Sequence, residues 1–157
     1  MPIAAIHEIG VETSQPIELI DITERVAEYV ERLGPWHGTV TIFSRHTTAA
    51  VRIQEAEPLL LDDLRAFLLQ LAPPDAPYGH NDFDVRTEHM HPGERPNGHS
   101  HCLHFLLGAS ASVPVVDGVL QLGSWQRIFF VELDGPRADR QVQVQLTGLL
   151  HPERSAS

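Results

Sequence analysis

Two periods of apolar residues divide the chain into helices and strands. In DITERVAEYVERLGP, Ile22, Val26, Val30 and Leu33 recur at the spacing that lines one face of a helix, until Gly34 and Pro35 stop the pattern. Asp21 stands three residues before Glu24, as a capping box requires. A second helix is predicted in EPLLLDDLRAFLLQLAPP. It opens on Pro58 at a first helical position, gathers Leu60, Leu61, Leu64, Leu68 and Leu71 on one face, and ends before a proline pair.

Around these helices the period shortens to two. Ile3 to Thr13 and PIELIDI read as strands about an SQP turn, and GTVTIFS and AAVRIQ as β-branched strands bracketing RHTT, which leaves His46 at a strand end or bend. Residues 73–98 carry Pro, Gly, Asn and Asp with no sustained period, so a long loop is expected, of the kind that is functional or mobile. CLHFLLGAS suggests a short helical piece. SVPVV, VLQLGS, WQRIFFVELD and QVQVQLTGLL then supply four strands, with Asp117-Gly118 as a two-residue hairpin turn and DGPRADR as a longer one. The order predicts an α+β protein with a mixed, largely antiparallel, sandwich-like sheet and two main helices on one side, as one domain over residues 1–157. Neither G-x-G-x-x-G nor a Walker loop occurs, which disfavours a doubly wound sheet.

Charge and cysteine content narrow the function class. The 21 acidic against 11 basic residues give a formal charge of -10, which argues against nucleic acid and anionic membranes as partners. The single Cys102 cannot form an internal disulfide, and no run of eighteen apolar residues or basic leader is visible, so a cytoplasmic setting is expected.

Six of the ten histidines fall between positions 80 and 104: His80, His89, His91, His99, His101 and His104. Imidazole ligates zinc and similar divalent ions, and a catalytic site needs about three ligands with one position open. His99 and His101 converge if NGHSH is extended, His101 and His104 if a helix has begun; Asn97 and Gly98 favour the extended reading. His89 and His91 read as solvated loop residues and Cys102 as a small buried hydrophobe. In RHTTAAVRIQE, His46 is a candidate base or ligand, Thr47 and Thr48 are candidate anion donors, and Glu55 can orient a histidine or move a proton. Toward the C-terminus, Trp125, Gln126, Glu132, Asp134 and Arg137 gather around strand ends, and Arg137 suits an anionic group.

Together, HTTAAVRIQE, PYGHND, NGHSH, LLGAS and VPVVDGVLQLGSWQRIFFVELDGPR resemble the YjbQ-like family, the secondary thiamine-phosphate synthase family, over Gly38 to Gly148. The family's histidine before two threonines falls on His46, its following Glu on Glu55, its Tyr-x-His on Tyr78 and His80, and its Asn and final His on Asn97 and His101. His99 stands where relatives with NADAH have Asp, also a ligand type. GSWQ matches GTWQ, and ELDGPR matches EFDGPR. CLHFLLG departs from IKASLLG by losing its lysine and serine, and the 83–96 loop is longer and richer in histidine.

The resemblance implies an α+β homotrimer with sites near subunit boundaries. The activity implied is the joining of a hydroxymethylpyrimidine diphosphate to a thiazole phosphate, a secondary activity of a family whose physiological substrate is unsettled. The site expected from residues and resemblance together has a divalent metal, zinc foremost, on His80, His99 and His101. His46, Glu55 and Asn97 act catalytically, and Thr47, Thr48, Trp125, Gln126 and Arg137 bind a small phosphorylated substrate. A non-catalytic trimeric binding module, and a metal-free His46–Glu55 acid/base pair, are the rival readings.

Overall fold

The computed structural model describes residues 1–151; the last six residues of the expected 1–157 unit lie outside the described residues. In chain order the elements are β1 (Pro2–Val11), β2 (Glu18–Asp21), α1 (Thr23–Glu31), β3 (Trp36–Ser44), β4 (Ala49–Gln54) and α2 (Pro58–Leu71). A single 3-10 turn (Gly79–Asn81) follows, then α3 (Gly98–Leu107), β5 (Ser110–Val116), β6 (Val119–Leu120), β7 (Arg127–Glu132) and β8 (Arg140–Leu150). They build a five-stranded sheet ordered β1-β8-β3-β5-β6 and a three-stranded sheet ordered β2-β7-β4. Every described pairing is antiparallel.

Strand alternation sets the layers. Ile128 and Phe130 of β7, with Val51 of β4, face the larger sheet and join Val40, Ile42, Val144 and Leu146 in the main core, which Val26 and Val30 of α1, with Ile22 just before it, close. The opposite face of the small sheet, Ala50, Phe129 and Val131, is covered by Leu68 of α2 and Leu103 of α3. The small sheet is thus buried on both faces, and the helices lie on two sides of it rather than one. Trp36 is fully buried and donates its indole N–H to the Val30 carbonyl at 2.9 Å, tying α1 to β3. Beside it Gly38 and Gly148 face each other in register, and a Cβ on Gly148 would stand 2.2 Å from the His37 carbonyl oxygen, so only glycine fits.

Three expectations about elements need correction. No capping box forms on α1: Asp21 accepts from the Thr23 amide and hydroxyl, while Glu24 turns to Arg127 at 3.0 Å. α2 begins at Pro58 as expected, with Glu57 accepting from the Leu59 and Leu60 amides, but Leu71 is half exposed and Leu68 alone of its leucine stripe is buried. The short helical piece begins earlier than CLHFLLGAS suggests, at Gly98, making a third helix of ten residues.

Candidate active site

Four chain segments meet at one end of the small sheet: the β3–β4 loop with His46 to Thr48, the 3-10 turn and the loop after it, the first turns of α3, and the β7–β8 connection. They enclose a cavity of about 670 Å³. Asn81 joins two of them. Its side-chain oxygen accepts the Asn97 amide at 3.0 Å and the Gly98 amide at 2.9 Å, pinning the turn that carries His80 to the start of the helix that carries His101. Gly98 permits the approach, because a Cβ there would sit 2.5 Å from Tyr78 Cβ.

The outcome is an edge-to-face pair, His80 on His101, with ring centroids 4.6 Å apart. His80 Nε2 is buried without a hydrogen-bond partner and lies 4.0 Å from Glu94 Oε1. Burial, and then the neighbouring His80, hold His101 below the usual imidazole pKa. A neutral ring with a free lone pair is the form that a divalent ion accepts.

His46 lines the same cavity, but its Nε2 accepts the Gln141 backbone N–H at 3.0 Å. An amide can only donate, so in the neutral ring the proton sits on Nδ1. Burial, and then the Arg140 charge, lower its pKa. His46 therefore presents an N–H donor rather than a ligating lone pair. Thr47 lines the cavity too, and the Thr48 hydroxyl accepts from Arg140 at 2.9 Å.

Behind the cavity lies a buried ion pair. Glu132, with no exposed surface, accepts two bonds from Arg140, at 2.6 and 2.8 Å, one from the Thr13 hydroxyl, and the amides of Leu133 and Asp134. Burial pushes its pKa up, and the Arg140 bonds and the Asp134 amide outweigh that and hold it below the usual carboxylate range. Asp134 in turn accepts Asn97 Nδ2 at 2.9 Å and Arg137 at 2.7 Å. Arg137 thus lines the cavity already braced, while Asn97 Oδ1 is left buried and unpartnered.

The long loop is cross-tied rather than loose. Arg86 donates to Glu94 at 2.6 Å and to the carbonyls of His80, Glu88 and His89. His89 and His91, expected to be mere loop decoration, both line the cavity. The lining holds Arg86, Arg95, Arg137 and Arg140 against Glu94, Asp134 and Asp139, with five histidines in all, on a chain whose formal charge is -10. With Glu132 behind Arg140, four arginines meet four carboxylates, so the pocket is close to neutral on an acidic chain, and its guanidinium donors suit an anionic ligand.

Four expected site residues lie elsewhere. Because α3 begins at Gly98, His99 and His101 stand roughly 200° apart around a helix instead of side by side. His99 faces a second cavity of about 430 Å³ with Arg65, Leu69 and Leu133, and does not join His80 and His101. Glu55 follows the far end of β4, and Trp125 and Gln126 precede the matching end of β7, roughly 20 Å from the cavity at about 3.3 Å per strand residue. Cys102, expected to pack, is exposed. Sequence reasoning missed Arg86, Glu94, Arg95 and Arg140. Only Arg140 carried a signal: it shares the inward parity of Val142, Val144 and Leu146, and a charge on a core face needs a partner.

These elements and motifs recur elsewhere. A family model described as "UPF0047 protein YjbQ-like" matches residues 7–149. The chain belongs to the YjbQ-like family. A relative in Methanothermobacter thermautotrophicus, a UPF0047 protein, is 43% identical over 142 residues, 90% of this chain and 91% of its own. YugU of Bacillus subtilis is 34% identical over 141 residues, 89% of this chain and 97% of its own. Among solved structures, a YbjQ-like protein of unknown function from Sulfolobus solfataricus P2 superposes with TM-score 0.85 at 35% identity, covering 95% of this chain and all of its own. A hypothetical protein from Aeropyrum pernix K1 gives 0.80 at 37% identity, over 94% and 99% of the two chains. The family thus shares the α+β fold, and the relatives' descriptions name no reaction. Among the described residues no helix is long and apolar enough to cross a membrane.

Proposed function

We propose that the arginine-lined cavity is the active site of a small-molecule enzyme acting on a phosphorylated substrate, with thiamine-phosphate synthase chemistry as its accessible activity. The observation that carries this reading is the buried, unpartnered His80 Nε2 beside His101, held neutral, in a cavity lined by four arginines. Two imidazoles fit a zinc-like ion. His99, on the other cavity, is withdrawn from the ligand set, so His80 and His101 are the side chains that would hold the ion. When bound, the ion supplies positive charge to the oxygens of a departing diphosphate.

The protein's own groups do the rest. The thiazole nitrogen forms a bond to the pyrimidine methylene carbon while the bond from that carbon to the diphosphate oxygen breaks, and diphosphate leaves with the electron pair. Arg137, braced by Asp134, Arg95 and the Thr47 hydroxyl hold the phosphate oxygens, and His46 Nδ1–H donates to the leaving group. Asn97 Oδ1 is a free acceptor for a substrate N–H or O–H.

Glu55, Trp125 and Gln126 act on this site only from a neighbouring subunit. That agrees with the homotrimer that the family resemblance implies, and Trp125 (74% exposed) and Phe105 (86% exposed) are apolar surface suited to such an interface. A trimer with its site at subunit boundaries is part of the proposal. The decisive assay mixes hydroxymethylpyrimidine diphosphate and thiazole phosphate with untagged, metal-loaded protein and follows pyrophosphate release. Release that depends on His101 supports the reading, and release identical in His101→Ala overturns it.

A further inference from the structure

At the end of the larger sheet away from the cavity, three residues distant in sequence bring ligand atoms together. His37 comes from β3, Asp117 from the β5–β6 turn, and His151 from the residue after β8. His37 Nε2 and His151 Nε2 face each other at 2.5 Å, and Asp117 Oδ1 lies 3.4 Å from the first and 3.5 Å from the second. Among the described residues this is the one trio of potential ligands whose atoms all lie within 4.8 Å of one another. We propose that His37, Asp117 and His151 form a second metal site, for a divalent transition ion of the zinc class, which clips the C-terminal end of β8 to the β5–β6 hairpin.

The geometry has three supports. First, bonds of about 2.0–2.1 Å to a tetrahedral ion separate ligand atoms by about 3.3 Å, and both histidine-to-aspartate distances are close to that. The two imidazoles are closer than that edge, but both side chains are nearly half exposed and free to part by under an ångström. Second, two ring nitrogens that close cannot both carry protons or both present lone pairs, so either one N–H···N bond or a cation joins them, and zinc titration separates the two. Third, the backbone is already fixed. Asp117 and Gly118 both have positive φ, 51° and 76°, as the Asp-Gly type I′ hairpin requires, the Gly118 amide donates to the Trp36 carbonyl, and the His151 amide donates to the Pro35 carbonyl. Only side chains have to adjust.

Two imidazoles and one carboxylate select a borderline ion such as zinc, cobalt or nickel over magnesium or calcium, which take oxygen ligands. Binding at His37 Nε2 moves that ring's proton to Nδ1 and gives up the long 3.4 Å contact that Nδ1 accepts from the Asp117 amide, so little has to be broken.

The test is calorimetric titration of zinc chloride alone into untagged protein, for the wild type, His37→Gln/His151→Ala and His80→Ala/His101→Ala, with melting curves for each. The proposal expects His37→Gln/His151→Ala to bind one zinc ion fewer per chain than wild type. It also expects this site to supply roughly 5–10 °C of the wild-type Tm gain at zinc a hundredfold above its Kd, and this variant to lose that part while keeping any gain from the first cavity. His37 and His151 are nearly half exposed, so that variant folds, and native circular dichroism checks the fold of His80→Ala/His101→Ala, whose side chains are partly buried. Equal stoichiometry and equal zinc-induced Tm gain in wild type and His37→Gln/His151→Ala overturn the proposal and leave a proton-sharing histidine pair. His80→Ala/His101→Ala reads the first cavity separately, so failure of one site is distinguishable from failure of the other.

Discussion

Asn81 joins the His80 segment to the His101 segment through two backbone amides. Its side-chain oxygen holds the amides of Asn97 and Gly98, and this bond pair sets the 4.6 Å edge-to-face contact of the two imidazoles. Replacing it by alanine leaves two amides at the α3 start without their acceptor while the core is untouched. Asn81→Ala is expected to fold with native circular dichroism and to weaken metal binding at the cavity by about 10–100-fold, the usual cost of losing a group that orients ligands. Titration in a His37→Gln/His151→Ala background isolates that site.

His46 separates a donor from a ligand. Its Nε2 is committed to the Gln141 amide, so His46→Ala should lower kcat by about 10²-fold or more while leaving zinc stoichiometry unchanged. Loss of a bound ion in this variant would make His46 a ligand.

The Glu132–Arg140 pair is a stability element. Arg140→Met leaves a carboxylate with no exposed surface facing only neutral donors, which costs about 3–5 kcal/mol. Urea unfolding reads the loss directly, and a change under 1 kcal/mol would mean that water reaches Glu132.

Acid should destabilise the protein through its buried histidines. His99 is 8% exposed, and its pKa, like that of His104, is lowered by burial. Below the reference value of 6.5 the unfolded chain takes up protons that the folded chain refuses, so stability is full above 6.5 and falls as pH drops toward the folded pKa values. Tm measured between pH 7.5 and pH 5 is expected to fall, and His99→Gln, which removes one such group, to flatten the slope. An unchanged slope in that variant would show that His99 is solvated.

The fold was largely legible because its signals are local. β4 spans AAVRIQ as the alternation predicts, Pro58 opens α2, and Asp117-Gly118 turns the β5–β6 hairpin. The site was legible only where neighbours in space had a sequence rule. His80 and His101 stand together as the family motifs imply, whereas the extended reading of NGHSH failed because Asn97 and Gly98 open a helix instead of delaying one. Arg86 and Glu94 pair across an irregular loop, where no period relates them. The His37, Asp117 and His151 trio depends on the register of three strands, which no single segment encodes.

The central claim is that His80 and His101 hold a metal that draws a phosphorylated ligand into the arginine-lined cavity. Calorimetric titration of inorganic pyrophosphate, with and without zinc, into untagged wild type and His80→Ala/His101→Ala tests it most directly. The account predicts wild-type binding at least about tenfold tighter with zinc, worth about 1.4 kcal/mol, and no zinc effect in the double variant. Pyrophosphate binding that is indifferent to both zinc and the two histidines would contradict it.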